Sequence, residues 1–184
     1  MTQLELYQRG LLDLVKRRGV APEEPYLRRV AESRAIAIVR EIAVWWRVFQ
    51  IEAQCRFTSR LLKRLDCFHE VVTLYFNGNR TSPFVEELTR DFLSSLSTHE
   101  TRLIRTVARF EYALLEVRTG CIGDFEIIWD RHPDLVLKAL DNGNQLPPPE
   151  PEFVYRMRVA AHLAGTVVCT REAAGASLES EDQR

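Results

Sequence analysis

The stretch from Thr101 to Arg118, TRLIRTVARFEYALLEVR, constrains the fold more than any other part of the chain. Leu103, Val107, Phe110, Leu114 and Val117 recur at spacings of four, three, four and three residues, which places them on one stripe of an α-helix. Ile104, Ala108 and Leu115 widen that stripe, while Arg102, Arg105, Arg109, Glu116 and Arg118 fall mostly on the other side. The spacing predicts a core helix within a bundle, with one charged edge exposed.

Upstream the texture is helical throughout. Gln3 to Arg18 reads as a first helix with Leu4, Tyr7, Leu11, Leu14 and Val15 on one face, ended by Lys16-Arg17-Arg18-Gly19. Pro25 to Gln54 reads as one long helix, because Val30, Ala37, Val44 and Ile51 sit seven apart with Leu27, Ile38, Trp45 and Val48 near the same side. Trp45 and Trp46 are neighbours and cannot share one face, so Trp46 is the candidate contact for a partner protein; a bundle core holding both rings is the competing reading. Phe57-Thr58-Ser59 leads into a short helix, Arg60 to Leu65, which Asp66 ends. Phe68 to Phe76 forms the next helix, and Ser82-Pro83 restarts the chain into another through Leu96.

After Gly120 the period changes. Phe125, Ile127 and Trp129 alternate with Glu126, Ile128 and Asp130, a strand signature; Pro133 to Leu140 reads as a short helix, and Pro147-Pro148-Pro149-Glu150-Pro151 as a stiff connector. Phe153 to Val159 alternates as a second strand, and Leu163 to Arg171 returns as a third. The expected fold is therefore α+β and predominantly α: a helical bundle over residues 1–119, a small strand-helix-hairpin module, winged-helix-like, over 120–171, and a disordered tail over 172–184. The outermost strand of the module can pair with another chain.

Composition limits the function. A net charge of -1 argues against general attraction to phosphates. The opening MTQLELYQRG lacks the basic-then-apolar order of an export signal and no apolar run reaches about eighteen residues, so a cytoplasmic protein with reduced cysteines is expected. His69, His99, His132 and His162 are isolated, Cys67-x-His69 is the one close Cys/His pair, and no GxSxG, P-loop or GxGxxG occurs. No catalytic residue and no metal ligand is expected in this chain.

Phe57-Thr58-Ser59-Arg60-Leu61-Leu62, Phe68 with Val71-Val72 and Tyr75, Ser82-Pro83, Asp91-Phe92-Leu93 and Ala108-Arg109-Phe110-Glu111-Tyr112-Ala113-Leu114 follow one another in an order that resembles the HvfC-type family. The resemblance covers roughly residues 50 to 118 and extends more weakly over Phe125 to Leu140. It implies a small partner of a multinuclear non-haem iron oxygenase that modifies cysteines in ribosomally made peptides. The short length resembles the TglHI-like branch of 3-thiaglutamate biosynthesis, in which the β-carbon of a peptide's terminal cysteine is excised. A TglH-like oxygenase and a precursor peptide are then the partners, and iron belongs to the oxygenase.

From the residues themselves, the peptide is expected to add as a strand at the hairpin or at the Phe125 to Asp130 edge, with Arg156 and Arg158 facing outward to meet acidic side chains and Tyr155 and Val168 beside them. A winged-helix-like DNA-binding regulator is the alternative; it needs a recognition helix rich in basic groups, and Pro133 to Leu140 offers only Lys138.

Overall fold

In the computed structural model, which describes residues 2–15, 24–78, 82–120, 123–163 and 167–173, the internal contacts fall into two units, residues 1–50 and 51–184.

The first unit holds α1 (Gln3–Val15), α2 (Pro25–Glu32) and most of α3 (Arg34–Gln54). Glu24 starts α2 by accepting the Leu27 N–H at 2.8 Å, a donor that would otherwise lack a partner in the first turn. The single helix expected from Pro25 to Gln54 is two helices. Ser33 is extended (φ -77°, ψ 146°); its hydroxyl donates to the Val30 carbonyl at 2.7 Å and accepts the Ile36 N–H at 3.4 Å, so one side chain ends α2 and caps α3. Neither proline nor glycine marks the break, and the apolar period runs through it. The ring of Tyr7 meets that of Tyr26 edge-on at 5.7 Å, and the Arg40 guanidinium donates to the Leu14 carbonyl at 2.8 Å. Gly10 lets α1 approach α2 closely, since a Cβ there would stand 2.3 Å from a Leu27 methyl. The basic ending expected for the first helix, Lys16 to Gly19, lies outside the described residues.

The second unit begins within α3 and continues through α4 (Arg56–Arg64), α5 (Phe68–Gly78), α6 (Val85–Ser95), a 3-10 turn (Leu96–Thr98), α7 (Arg102–Arg118), β1 (Asp124–Trp129), α8 (Pro133–Asn142), β2 (Phe153–Ala160) and β3 (Val167–Ala173). α4 takes in Phe57-Thr58-Ser59, which the sequence reading set before the helix, and stops where Asp66 turns to φ 56°. α6 starts at Val85 rather than at Ser82; the Ser82 hydroxyl instead accepts the Phe84 N–H at 3.1 Å. α7 is the expected core helix, with Leu103, Ile104, Val107, Ala108, Phe110 and Ala113 buried.

The sheet is antiparallel in the order β1-β2-β3, with Ile127 opposite Met157 and Met157 opposite Cys169. Alternation sets its faces. Ile127, Trp129, Tyr155, Met157 and Val159 are buried on the inner side, where Trp129 meets Phe110 of α7 edge-on at 6.0 Å and Phe125 meets Tyr112 at 6.5 Å. The strands therefore share one core with α7, and the division expected at residue 119 is not where contacts separate; they separate at Gln50/Ile51. An amphipathic three-stranded sheet cannot bury its apolar face alone, which is why it joins the helices. Glu172 and Ala173, expected in the tail, close β3, and residues 174–184 lie outside the described set. Together the units make a predominantly α, α+β fold. No described helix is long and apolar enough to cross a membrane.

The proline-rich connector is pinned at both ends. The Glu150 N–H donates to the Asp130 carbonyl at 2.7 Å, Arg131 donates to the Pro147 carbonyl at 3.0 Å, and the Tyr155 hydroxyl donates to Glu150 at 2.8 Å. Burial alone would raise the Asp130 carboxyl, but the Arg131 hydrogen bond at 2.8 Å and the charges of Arg131 and Arg102 hold it below the usual aspartate range. A lowered folded value contributes stability that is present above the unfolded value of about 3.9 and is lost as pH falls through the folded one. Asp130→Asn is therefore expected to be less stable than the wild type at pH 7, with the gap closing as thermal melts are repeated down to pH 3; a gap that stays constant with pH would remove Asp130 from this role.

Candidate functional site

Three surfaces carry the residues that the sequence singled out or left unexplained. The first is the outer face of the sheet. The Arg156 guanidinium sits between Glu126 of β1 and Glu172 of β3, 2.9 Å from the latter, and Arg158 pairs with Asp124. Hydrogen bonding and charge from these carboxylates raise both guanidiniums above their ordinary values and lower Asp124. Arg156 and Arg158 thus face outward as expected, yet the carboxylates they meet belong to their own sheet. Tyr155 points the other way. It is 2% exposed, its hydroxyl is bonded to Glu150 and its ring lies 5.1 Å from His132, so it is a core residue and not a peptide contact; its odd position in the alternation put it on the inner face with Met157. Val168 is exposed on the outer face of β3, opposite Arg158.

The second surface is α3. Ile38, Ile42, Trp45 and Phe49 recur at four, three and four residues and form one exposed stripe, widened by Val39 and Trp46. Trp45, Trp46 and Phe49 are 62%, 52% and 47% exposed and lie against one another, with Phe49 stacked on Trp45 at 5.8 Å and on Trp46 at 5.6 Å. A bundle core holding both tryptophans is ruled out, and Val44, Ile38 and Trp45, expected on the buried face of a long helix, are exposed. Ile36 is the one apolar side chain of the first unit's part of α3 that is fully covered. The sequence singles out Trp46 alone; Trp45 and Phe49 join it in the exposed cluster.

The third surface lies beside β1. Arg102, Arg105 and Arg109 of α7 line a groove of 240 Å³ together with Thr106 and with Glu126, Ile127 and Ile128 of the strand. Arg105 is held by the carbonyls of His99 and Glu100, the latter at 3.0 Å, while Arg109 has no ion pair or hydrogen bond among the described residues. Spacings of three and four bring the three guanidiniums onto one side of α7. Among the described residues β1 has β2 on one side only, so its other edge lies open next to this row. The sequence shows the arginines as an exposed edge; that the edge runs along a strand is a tertiary fact.

Reactive chemistry is sparse among the described residues. Burial, with Glu111 beside it, pushes the Cys55 thiol well up; burial and then Glu70 push up Cys67, and burial with Asp134 pushes up Cys169. All three are free and protonated at neutral pH, which makes them weak nucleophiles. No three His, Cys, Asp or Glu side chains come together as a metal site among the described residues.

At the centre of the second unit, the Glu111 carboxylate is 7% exposed and accepts the Phe57 N–H at 2.7 Å and the Thr58 N–H at 2.8 Å. Cys55 at the helix start makes no side-chain cap, so α7 supplies the cap of α4 from 53 and 54 residues away. Burial raises the Glu111 carboxyl above the ordinary glutamate range, against hydrogen bonds from Thr58 and Phe57 and the charge of Arg56. No protein-family model, curated protein or solved structure matches the chain.

Proposed function

We propose that this chain is a non-catalytic accessory subunit, working in the cytoplasm, that binds a ribosomally made precursor peptide and docks on a multinuclear non-haem iron oxygenase, which modifies a cysteine of that peptide. The observation that carries the reading is the uncovered aromatic stripe of α3. An exposed stack of two tryptophans and a phenylalanine, continued by Ile42 and Ile38, is what a large protein interface uses as its anchor, because rigid rings desolvate much area at little entropic cost. The open sheet edges support the peptide half of the reading, since an extended segment gains backbone hydrogen bonds there. Four of the residues that carry the family resemblance, Phe57, Thr58, Phe110 and Glu111, meet in one contact, with the Phe57 and Phe110 rings 6.1 Å apart. The chemistry of β-carbon excision, as in the TglHI-like branch, belongs to the oxygenase and its iron. The DNA-binding alternative gains nothing, because α8 carries Lys138 against Asp134 and Asp141.

Co-expression with an iron oxygenase encoded beside it is the test. The two chains are expected to elute as one complex, and Trp45→Ser with Trp46→Ser weakens it about 30-fold, or roughly 2 kcal/mol for a pair of anchor residues. Because both rings are exposed, the thermal midpoint of the isolated chain stays within a degree or two. A wild-type chain that remains alone beside the oxygenase at micromolar concentration overturns the reading.

A further inference from the structure

We infer that the peptide segment bound by this protein is acidic and extended, with carboxylates at alternate positions, and that it adds to the open edge of β1 where Arg102, Arg105 and Arg109 stand. The inference rests on the peptide-binding reading above and names the chemistry of its ligand. Among the described residues neither β1 nor β3 has a strand on its outer side, and the two edges differ in charge. Beside β3, Arg171 is already occupied: its guanidinium lies 3.5 Å over the Phe153 ring and 3.6 Å from Glu150, and Asp134 bears on Cys169. Beside β1, the groove holds three guanidiniums and one carboxylate, Glu126, and that carboxylate is tied to Arg156 on the outer face. Arg102 also bears on Asp130, but that carboxylate is already paired with Arg131, and Arg105 donates only to carbonyls, so the row by β1 stays net positive.

Distances fit a strand. Seven residues of α7 carry the row from Arg102 to Arg109 over roughly 10 Å, while alternate side chains of an extended chain are about 7 Å apart. Long arginine side chains cover the difference, and their forked donors suit carboxylates. Alternation is required, because every second residue of an added strand points away from α7. Backbone pairing along Glu126 to Ile128 fixes the register, and the arginines read the charge.

Fluorescence anisotropy with labelled twelve-residue peptides tests this on the full chain. Alternating Glu-Thr is expected to bind at least tenfold more tightly at 50 mM salt than a block arrangement of the same residues, and alternating Lys-Thr to bind tenfold more weakly than the acidic peptide. Arg102→Glu with Arg109→Glu removes the preference while the far-ultraviolet dichroism is unchanged. N-methylation of alternate peptide amides abolishes binding if the segment adds as a strand. Equal affinity for the acidic, neutral and basic alternating peptides overturns the charge assignment and leaves peptide binding standing; no binding by any extended peptide overturns both.

Discussion

Alanine at Trp129 lowers the unfolding free energy of the second unit by about 4 kcal/mol, within the range for emptying a large aromatic site in a close-packed interior. Trp129 has no exposed surface and joins the sheet to α7 through Phe110 at 6.0 Å, so its loss opens a cavity where strands and helices share a core. Urea unfolding followed by far-ultraviolet dichroism measures the change. Trp129→Phe separates packing from polarity: the indole N–H is buried without a hydrogen-bond partner among the described residues, so phenylalanine removes an unsatisfied donor together with part of the ring. The phenylalanine variant is expected to lose only about 1 kcal/mol. Equal losses for both variants would mean that this site does not close the core.

Glu111→Ala is expected to cost about 3 kcal/mol, since it strands the buried N–H groups of Phe57 and Thr58 at the start of α4. A loss of that size shifts the melting temperature by about 10 °C for a chain of this length. Glu111→Gln keeps the shape but turns an amide N–H toward one of the two donors, and so recovers only part of the loss. The sign of its pH dependence follows from the raised carboxyl. A folded value above the unfolded one contributes fully in acid and is lost as pH rises through the folded value, so the wild-type advantage over glutamine shrinks from pH 4 towards neutrality. An advantage that grows with pH would show that the two N–H donors outweigh burial.

How far the sequence predicts this molecule depends on whether a feature is local. The stripe of α7 and the alternation of β1 and β2 depend on side-chain period alone, and all three elements appear where that period places them. Ser33 was invisible because its break is made by one hydroxyl, with no change in apolar spacing. The exposure of α3 is not legible for another reason: period shows that a helix has an apolar face, but not whether another element packs on it. For the candidate site, adjacency predicts one exposed tryptophan of the pair, but both are exposed and lie against one another with Phe49, whereas the alternation of β2 does put Arg156 and Arg158 on the outer face. The alternation of Phe153, Tyr155, Met157 and Val159 puts Tyr155 on the buried face, at odds with the expectation of a peptide contact beside Arg156, and the groove beside β1 depends on where α7 packs.

The ladder of carboxylates and arginines on the outer face has a consequence for refolding fidelity. Were β3 to slide by one position against β2, Glu172 would swing to the apolar side and Arg171 to the outer side, giving up its place over the Phe153 ring, and the Arg156 guanidinium would lose one of its two carboxylates. A misthreaded hairpin therefore carries an electrostatic penalty as well as a hydrophobic one, and both favour the same single pairing.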